Sequence, residues 1–202
     1  MLFGIGDISG VKSSNQDGKA EGNSSAFTSK FLNVQTDIIE NLSEDLVRLP
    51  EPGEIKFLQT IKAFNAFTFV ELISRLSFIQ ELTASTYSIS MKVIDALQEM
   101  KRNGRIDKIN LMISDSMMKR NPKVSDSINA WATVDPMVSV VYSWNHSKVV
   151  AIKTETDYFC IEGSGNWGEN ACYEQYVVVN DESVYHLRKR LFTECKVVYK
   201  IN

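Results

Sequence analysis

A strand–helix–strand pattern spans residues 78–115 and limits the folds that this chain can adopt. The segment SFIQELTASTYSI alternates and is rich in Thr, Ile and Tyr, as is typical of a β-strand and its exit. The next segment, ISMKVIDALQEMKRNG, ends in basic residues and Gly104 and places apolar residues on one helical face: Met91, Ile94, Leu97 and Met100. KINLMISD then alternates again. A β-α-β unit takes a right-handed crossover, so the pattern predicts two parallel strands.

The residues after this unit predict more elements of a mixed sheet. Residues 116–130 have a polar helical pattern, and MVSVVYSW (137–144) is typical of a strand. Two apolar runs, 149–152 and 158–161, flank the polar turn KTETD and predict a hairpin. YVVVN predicts one more strand and ESVYHLRKRLFTEC a closing helix. We therefore expect an α/β fold in one domain, residues 54–202.

The N-terminal quarter of the chain has a different character. Residues 1–25 are dominated by Gly, Ser, Asp, Asn and Lys and predict a flexible or irregular arm. Residues 26–53 predict a helix and turn, because apolar residues recur at three- and four-residue steps and Pro50, Pro52 and Gly53 follow. Between residues 55 and 76, strand-like and helical patterns are mixed and are not separated by inspection.

Composition excludes several classes of protein. The 202 residues are 44% hydrophobic with a formal charge of -3, so a core is expected and a global positive field is not. The basic clusters are LRKR (187–190) and the pair Lys119 and Arg120, each interpreted as a solvated helix face or as a polynucleotide contact. The three cysteines and two histidines lack the spacing of a zinc site or a disulfide framework, so neither is expected, and no cofactor is predicted. With neither a signal sequence nor a membrane span, a cytoplasmic protein is predicted.

The candidate site lies around the predicted hairpin. His146 and Lys148 share one face at the start of its first strand, and Ser164, Gly165 and Asn166 form a turn after its second. An antiparallel hairpin brings these two segments together. Lysine supplies a positive charge, Ser and Asn supply neutral donors, and glycine lets the backbone approach an anion, so the group suits phosphate. Histidine adds a nucleophile or general acid.

This pattern resembles the phospholipase D superfamily. Its signature is HxK, four residues, Asp, and then a GSxN turn; the matches here are HSK at 146–148 and GSGN at 163–166, after a similar β-α-β unit. The resemblance covers roughly residues 57–192 and implies a phospholipase D-like mixed β-sheet flanked by helices, with an N-terminal extension. One departure is Lys153, which stands where the superfamily has Asp; Glu155 or Asp157 is a possible substitute.

The resemblance implies roles for the matched residues. His146 would attack phosphorus and form a phosphohistidine, while Lys148, Ser164 and Asn166 would hold the phosphoryl oxygens, with Gly165 in the phosphate-binding turn. Glu174 matches an acidic residue that orients the imidazole. Because one chain carries one motif, the resemblance implies a homodimer with the site on its two-fold axis and no metal.

The sequence leaves three functional hypotheses open. The first is a metal-independent phosphodiesterase, acting on DNA or RNA rather than lipid. The second, motivated by Lys153, is a relative that binds nucleic acid or phosphate without hydrolysing it. The third is a lipid-processing enzyme, for which no amphipathic membrane helix is visible. Trp144 and Trp167 flank the motif; core packing is the simpler interpretation for both, and stacking on a base or forming a wall of the site is the alternative. Tyr87, at the first strand's end, is interpreted as support for the site or as ordinary turn chemistry.

Overall fold

A computed structural model describes residues 48–60, 65–168 and 173–202, together with Leu42 and Leu46. The predicted arm of residues 1–25 and most of the predicted helix of residues 26–53 lie outside the described residues. Leu42 and Leu46 are helical and buried, with 0% and 5% of their surface exposed, and both belong to the main hydrophobic core.

Eight strands in the described residues form one sheet, and the helices pack on its faces. In chain order the elements are β1 (Ile55–Gln59), α1 (Phe67–Leu76), β2 (Ile79–Thr86), α2 (Met91–Arg102), β3 (Ile106–Ser114), α3 (Ser116–Arg120), α4 (Pro122–Val134), β4 (Val138–Ser143), β5 (Val149–Lys153), β6 (Tyr158–Gly163), β7 (Gln175–Asn180), α5 (Glu182–Glu194) and β8 (Val197–Ile201). The strand order is β1-β7-β6-β5-β2-β3-β4-β8. Strands β2, β3 and β4 are parallel, and every other neighbouring pair is antiparallel.

The predicted β-α-β unit is confirmed. Strands β2 and β3 pair in parallel, with Leu82 opposite Ile109, and α2 connects them. The hydroxyl of Ser90 caps α2 by accepting a hydrogen bond from the backbone N–H of Val93. Gly104 follows the helix with a φ of 68°, a left-handed conformation that glycine adopts at no steric cost. The predicted hairpin is also confirmed as β5 and β6.

The two faces of the sheet differ in polarity. One face carries the main core, where cross-strand neighbours such as Leu82, Ile109, Val138 and Ile152 are completely buried. The other face carries α5, in which Tyr185 is the one residue that is buried. Charged contacts connect this helix to the sheet: Arg188 to Glu162, and Lys189 and the Tyr185 hydroxyl to Glu81.

Two sequence expectations need correction. The helical pattern of residues 116–130 corresponds to two helices, which are separated at Asn121. Asn121 is not helical, because the ring of the following Pro122 disfavours the helical conformation of the residue before it. The helix α5 does not close the fold, since β8 follows and pairs with β4 at the sheet edge. Four of the five residues of β8 are exposed, so the strand lacks the one-sided burial that produces a visible alternation.

Candidate active site

The residues of the motif lie at one end of the interior strands β5 and β6. His146 and Lys148 precede β5, and Ser164, Gly165 and Asn166 follow β6. Because β5 and β6 are antiparallel, the start of one lies beside the end of the other, and the backbone N–H of Gly163 donates to the carbonyl of Lys148 at 3.3 Å. The hairpin therefore brings the HSK and GSGN segments side by side.

The side chains of His146 and Lys148 are in direct contact. The ammonium of Lys148 lies 3.1 Å from His146 Nδ1 and donates to the carbonyl of His146 at 2.9 Å. With Lys148 donating to Nδ1, the neutral imidazole carries its proton on Nε2. His146 is exposed, and its ring lies 4.9 Å from the ring of Tyr87, which follows β2. Tyr87 thus limits the positions that the imidazole can take.

The electrostatic surroundings of Lys148 are mixed. Partial burial lowers the pKa of its ammonium, while the Glu174 carboxylate and the Tyr87 hydroxyl act in the opposite direction. Glu174 therefore lies close enough to favour the charged form of Lys148. The charge that a phosphate would meet here depends on both neighbours.

Glu174 is held by the residues that directly follow β1 and β6. Its backbone N–H donates to the hydroxyl of buried Thr60 at 3.0 Å, and its carbonyl accepts from the backbone N–H of Thr60 at 2.8 Å. Its carboxylate accepts a short hydrogen bond from the hydroxyl of Ser164. In this structure Glu174 therefore contacts the GSGN turn, and its role in orienting His146 stays a prediction.

The GSGN turn is anchored by Trp167, the residue that follows it. Trp167 is completely buried, and its backbone N–H lies 3.0 Å from the carbonyl of Ser88 and 3.2 Å from the hydroxyl of Thr86. Gly165 is buried and Asn166 is half-buried. At Gly163 a side chain would come within 2.5 Å of the carbonyl of Gln175, so only glycine fits there.

Comparison with known proteins identifies the architecture. The solved structures most similar to this chain include Nuc, a phospholipase D family member from Salmonella typhimurium, with a TM-score of 0.51, 16% identity, and coverage of 71% of this chain and 98% of that one. The chain has a phospholipase D-like fold. The structures found also include polyphosphate kinase from Porphyromonas gingivalis (TM-score 0.47, 15% identity, 69% of this chain and 25% of that one) and phosphatidylserine synthase from Haemophilus influenzae (0.48, 8%, 72% and 39%). No family model and no curated protein matches the sequence.

Within this phospholipase D-like fold, the residue that departs from the superfamily motif lies away from His146. Lys153 is the last residue of β5, opposite Glu81 on β2, and its ammonium lies 5.7 Å from the ring centre of Tyr158. Glu155 and Asp157 lie in the hairpin turn beyond Lys153, at the other end of β5 from Lys148. The position at which the resembled motif carries Asp therefore lies at the far end of the hairpin, away from the described surroundings of the imidazole.

The second histidine of this chain does not reach the site. His186 is on α5, where its ring lies 3.6 Å from Glu182 and 5.2 Å, between ring centres, from Tyr185. Across the described ranges, no group of His, Cys, Asp and Glu side chains could hold a metal ion, and no helix is long and apolar enough to cross a bilayer. The site as described thus contains one histidine per chain.

The structure separates the two tryptophans and the two basic clusters. Trp167 is core, as predicted, but the same prediction is wrong for Trp144, which is 94% exposed. The three basic residues of LRKR each contact a carboxylate, those of Glu162, Glu81 and Glu194. By contrast, the guanidinium of Arg120 lies 5.1 Å from the ring centre of Tyr87, whose ring also contacts His146. Of the two basic clusters, only the pair with Arg120 borders the site.

Sequence reasoning missed Asn145, which fixes the backbone of the HSK segment. Its buried amide donates to the hydroxyl of Ser85 at 2.9 Å and to the carbonyl of Thr86 at 3.2 Å. The side-chain oxygen of Asn145 accepts a hydrogen bond from the backbone N–H of Ser147 at 2.9 Å. Only its position directly before the motif could have drawn attention to it. Thr60 was also missed, because it lies 114 residues from its partner Glu174.

Proposed function

We propose that this protein is a metal-independent phosphodiesterase that hydrolyses nucleic acid through a phosphohistidine. The observation that carries the proposal is the backbone hydrogen bond from Gly163 to Lys148. It sets a histidine and an ammonium beside a turn whose groups can donate hydrogen bonds to phosphate. The phospholipase D-like fold supports it, since Nuc, a phospholipase D family member, has the same architecture. The fold alone does not assign the reaction, so the proposal depends on the side chains.

The first chemical step would be attack by His146 on phosphorus. The bond from Nε2 to phosphorus forms as the bond from phosphorus to the leaving oxygen breaks. Attack requires a lone pair on Nε2, whereas Lys148 in its present position leaves the proton there. A phosphate bound between Lys148 and the GSGN turn would draw the ammonium from Nδ1, so that Nδ1 can carry the proton instead. Substrate binding would thereby activate the nucleophile.

The remaining steps need a second histidine and water. The leaving oxygen requires a proton, and His186 is on α5, away from His146. We infer a homodimer in which the histidine of a second copy, protonated on both ring nitrogens, supplies this proton and becomes a neutral imidazole. That imidazole then takes a proton from water, whose oxygen attacks the phosphohistidine and releases the product and the free imidazole of His146. Lys148, Ser164 and Asn166 would stabilise charge on the phosphoryl oxygens throughout.

A second candidate function is phosphate binding without hydrolysis. The contact of Lys148 with His146 Nδ1 favours it, because this contact holds the imidazole in its non-nucleophilic form. If bound phosphate does not displace the lysine, the site would retain a polyanion and leave it intact.

The test is hydrolysis of bis(p-nitrophenyl) phosphate, plasmid DNA and single-stranded DNA in excess EDTA. We expect activity in the unmodified protein, its loss in His146→Ala and its retention in His186→Ala, the matched control. Light scattering should give the mass of a dimer. Trapping of labelled phosphate on His146 would exclude the binding-only function. A folded dimer that binds DNA but neither cleaves it nor forms the adduct would refute the enzyme proposal.

A further inference from the structure

The exposed indole of Trp144 is the most unusual surface feature beside the site. Trp144 is 94% exposed, whereas Trp167 is completely buried and Trp131 is half-buried. A large aromatic side chain that lies almost entirely in water contributes little to the stability of its own fold. Its position, two residues before His146, sets the two Cα atoms at most about 7 Å apart.

The backbone that carries this indole is held on both sides. The carbonyl of Ser143 accepts from the backbone N–H of Asp115 at 2.9 Å. On the other side, Asn145 is buried and bonded to Ser85 and Thr86. Trp144 is therefore presented from a fixed backbone, which lowers the entropic cost of ordering it against a ligand.

Other groups near His146 suit a ligand that combines aromatic bases with a charged backbone. The rings of Tyr87 and His146 are adjacent, and the guanidinium of Arg120 lies over the Tyr87 ring at 5.1 Å from its centre. Arg120 has no carboxylate partner among the described residues. Tyr173, 72% exposed, precedes Glu174. Exposed aromatics beside cations are the combination that binds unpaired bases and their phosphates.

We propose that Trp144 is a base-stacking residue that selects single-stranded nucleic acid as the ligand of this site. A nucleotide next to the phosphate held at His146 would place its base on the indole, and Arg120 would attract the continuing backbone. In a duplex the bases are stacked on one another and their faces are not available to the indole. This inference rests on the proposed function for its choice of substrate, but stacking is measured without hydrolysis.

The fluorescence of Trp144 provides a direct test. In the His146→Ala protein, a short deoxythymidine oligonucleotide is titrated and compared with an abasic oligonucleotide of equal length, which carries the same phosphates without bases. We expect base-dependent quenching that disappears in Trp144→Ala and persists in Trp131→Phe, the matched control. Stacking of one base is worth about 1–3 kcal/mol, so Trp144→Ala should weaken binding of the thymidine oligonucleotide roughly 5- to 150-fold. Its affinity for the abasic oligonucleotide should stay within about twofold.

Each outcome bears on the inference separately from the enzyme proposal. Quenching by bases in a protein that never hydrolyses DNA would support stacking and refute hydrolysis. Hydrolysis in the unmodified protein, with equal affinity for the two oligonucleotides, would refute stacking and leave the enzyme proposal intact. If Trp144→Ala lowers the mass measured by light scattering, the indole is a contact between two copies of the chain and the inference is overturned.

Discussion

The amide of Asn145 donates a hydrogen bond to the hydroxyl of Ser85 at 2.9 Å, which ties the residue before His146 to the penultimate residue of β2. The pair joins the HSK segment to the centre of the sheet. Its burial means that water does not replace a lost partner at low cost.

Replacement of Asn145 with alanine should therefore destabilise the fold and disturb the site. We expect a loss of about 2 kcal/mol in the free energy of unfolding, because the buried hydroxyl of Ser85 and the half-buried backbone N–H of Ser147 each lose a hydrogen bond. Urea denaturation measures this loss. Asn103→Ala, at an exposed position, is the control and should change stability much less. Equal effects of the two substitutions would contradict the prediction.

Gly163 should be intolerant of a side chain. A Cβ there would overlap the ring of Tyr176 and lie 2.5 Å from the carbonyl of Gln175, so Gly163→Ala should cost about 1–3 kcal/mol through displaced packing. Gly168→Ala is the matched control, since its nearest atom, Ser88 Oγ, would be 3.8 Å away. Thermal unfolding should distinguish the two variants; unchanged stability in Gly163→Ala would show that β6 and β7 separate more easily than the structure implies.

The carboxylate of Glu174 should set the pH range of phosphate binding. It raises the pKa of Lys148 against the lowering effect of burial, so Glu174→Gln should lower that pKa further. A lower pKa means that the ammonium loses its charge at a lower pH. The alkaline limb of inorganic phosphate binding, followed by calorimetry, should then shift to lower pH. Glu182→Gln, on α5, should leave the limb in place, and an unshifted limb in Glu174→Gln would refute the coupling.

Glu81 should contribute to stability in a defined acid range. Burial opposes its ionisation, but hydrogen bonds from Lys189, Lys108 and Tyr185 prevail and lower its pKa to about 2 from an ordinary value of 4.5. The unfolded chain therefore binds the proton first as the pH falls. The contribution is complete above about pH 4.5 and is lost between 4.5 and 2; a shift of this size corresponds to at most about 3 kcal/mol.

The measurement is the free energy of unfolding across that pH range in the unmodified protein and in Glu81→Gln. The variant should be less stable at neutral pH and should lose less stability on acidification. Glu194→Gln removes an exposed ion pair with Arg190 and should behave like the unmodified protein. An acid limb that is identical in Glu81→Gln would show that other carboxylates determine it.

The sequence predicted the central elements because their core residues recur at regular periods. In α2 the buried residues lie on one helical face, and in β3 every second residue from Ile109 to Ile113 belongs to the main core, so the pattern is visible without any partner. The edge strands β1 and β8 lack this signal. Phe57 on β1 is 78% exposed and most of β8 is exposed, so their positions depend on pairing with β7 and β4.

The sequence predicted the site residues that lie close together along the chain, but not the residues that support them from distant positions. His146, Lys148 and Ser164 were found because a hairpin brings them together within one short stretch of chain. Thr60 supports Glu174 across 114 residues, and no local pattern indicates such a pairing. Trp144 was assigned to the core because hydrophobicity alone does not distinguish a packed indole from one presented to solvent.

The order of strands in the sheet also has a consequence for biosynthesis. Strand β1 leaves the ribosome before every other described strand, yet its sheet partner is β7, near the end of the chain. While β2, β3 and β4 are able to assemble as their residues emerge, β1 has no partner until residues 175–180 have been translated. During that interval the side chains of Ile55 and Phe57 lie on an unpaired strand, which is the kind of segment that chaperones bind in nascent chains.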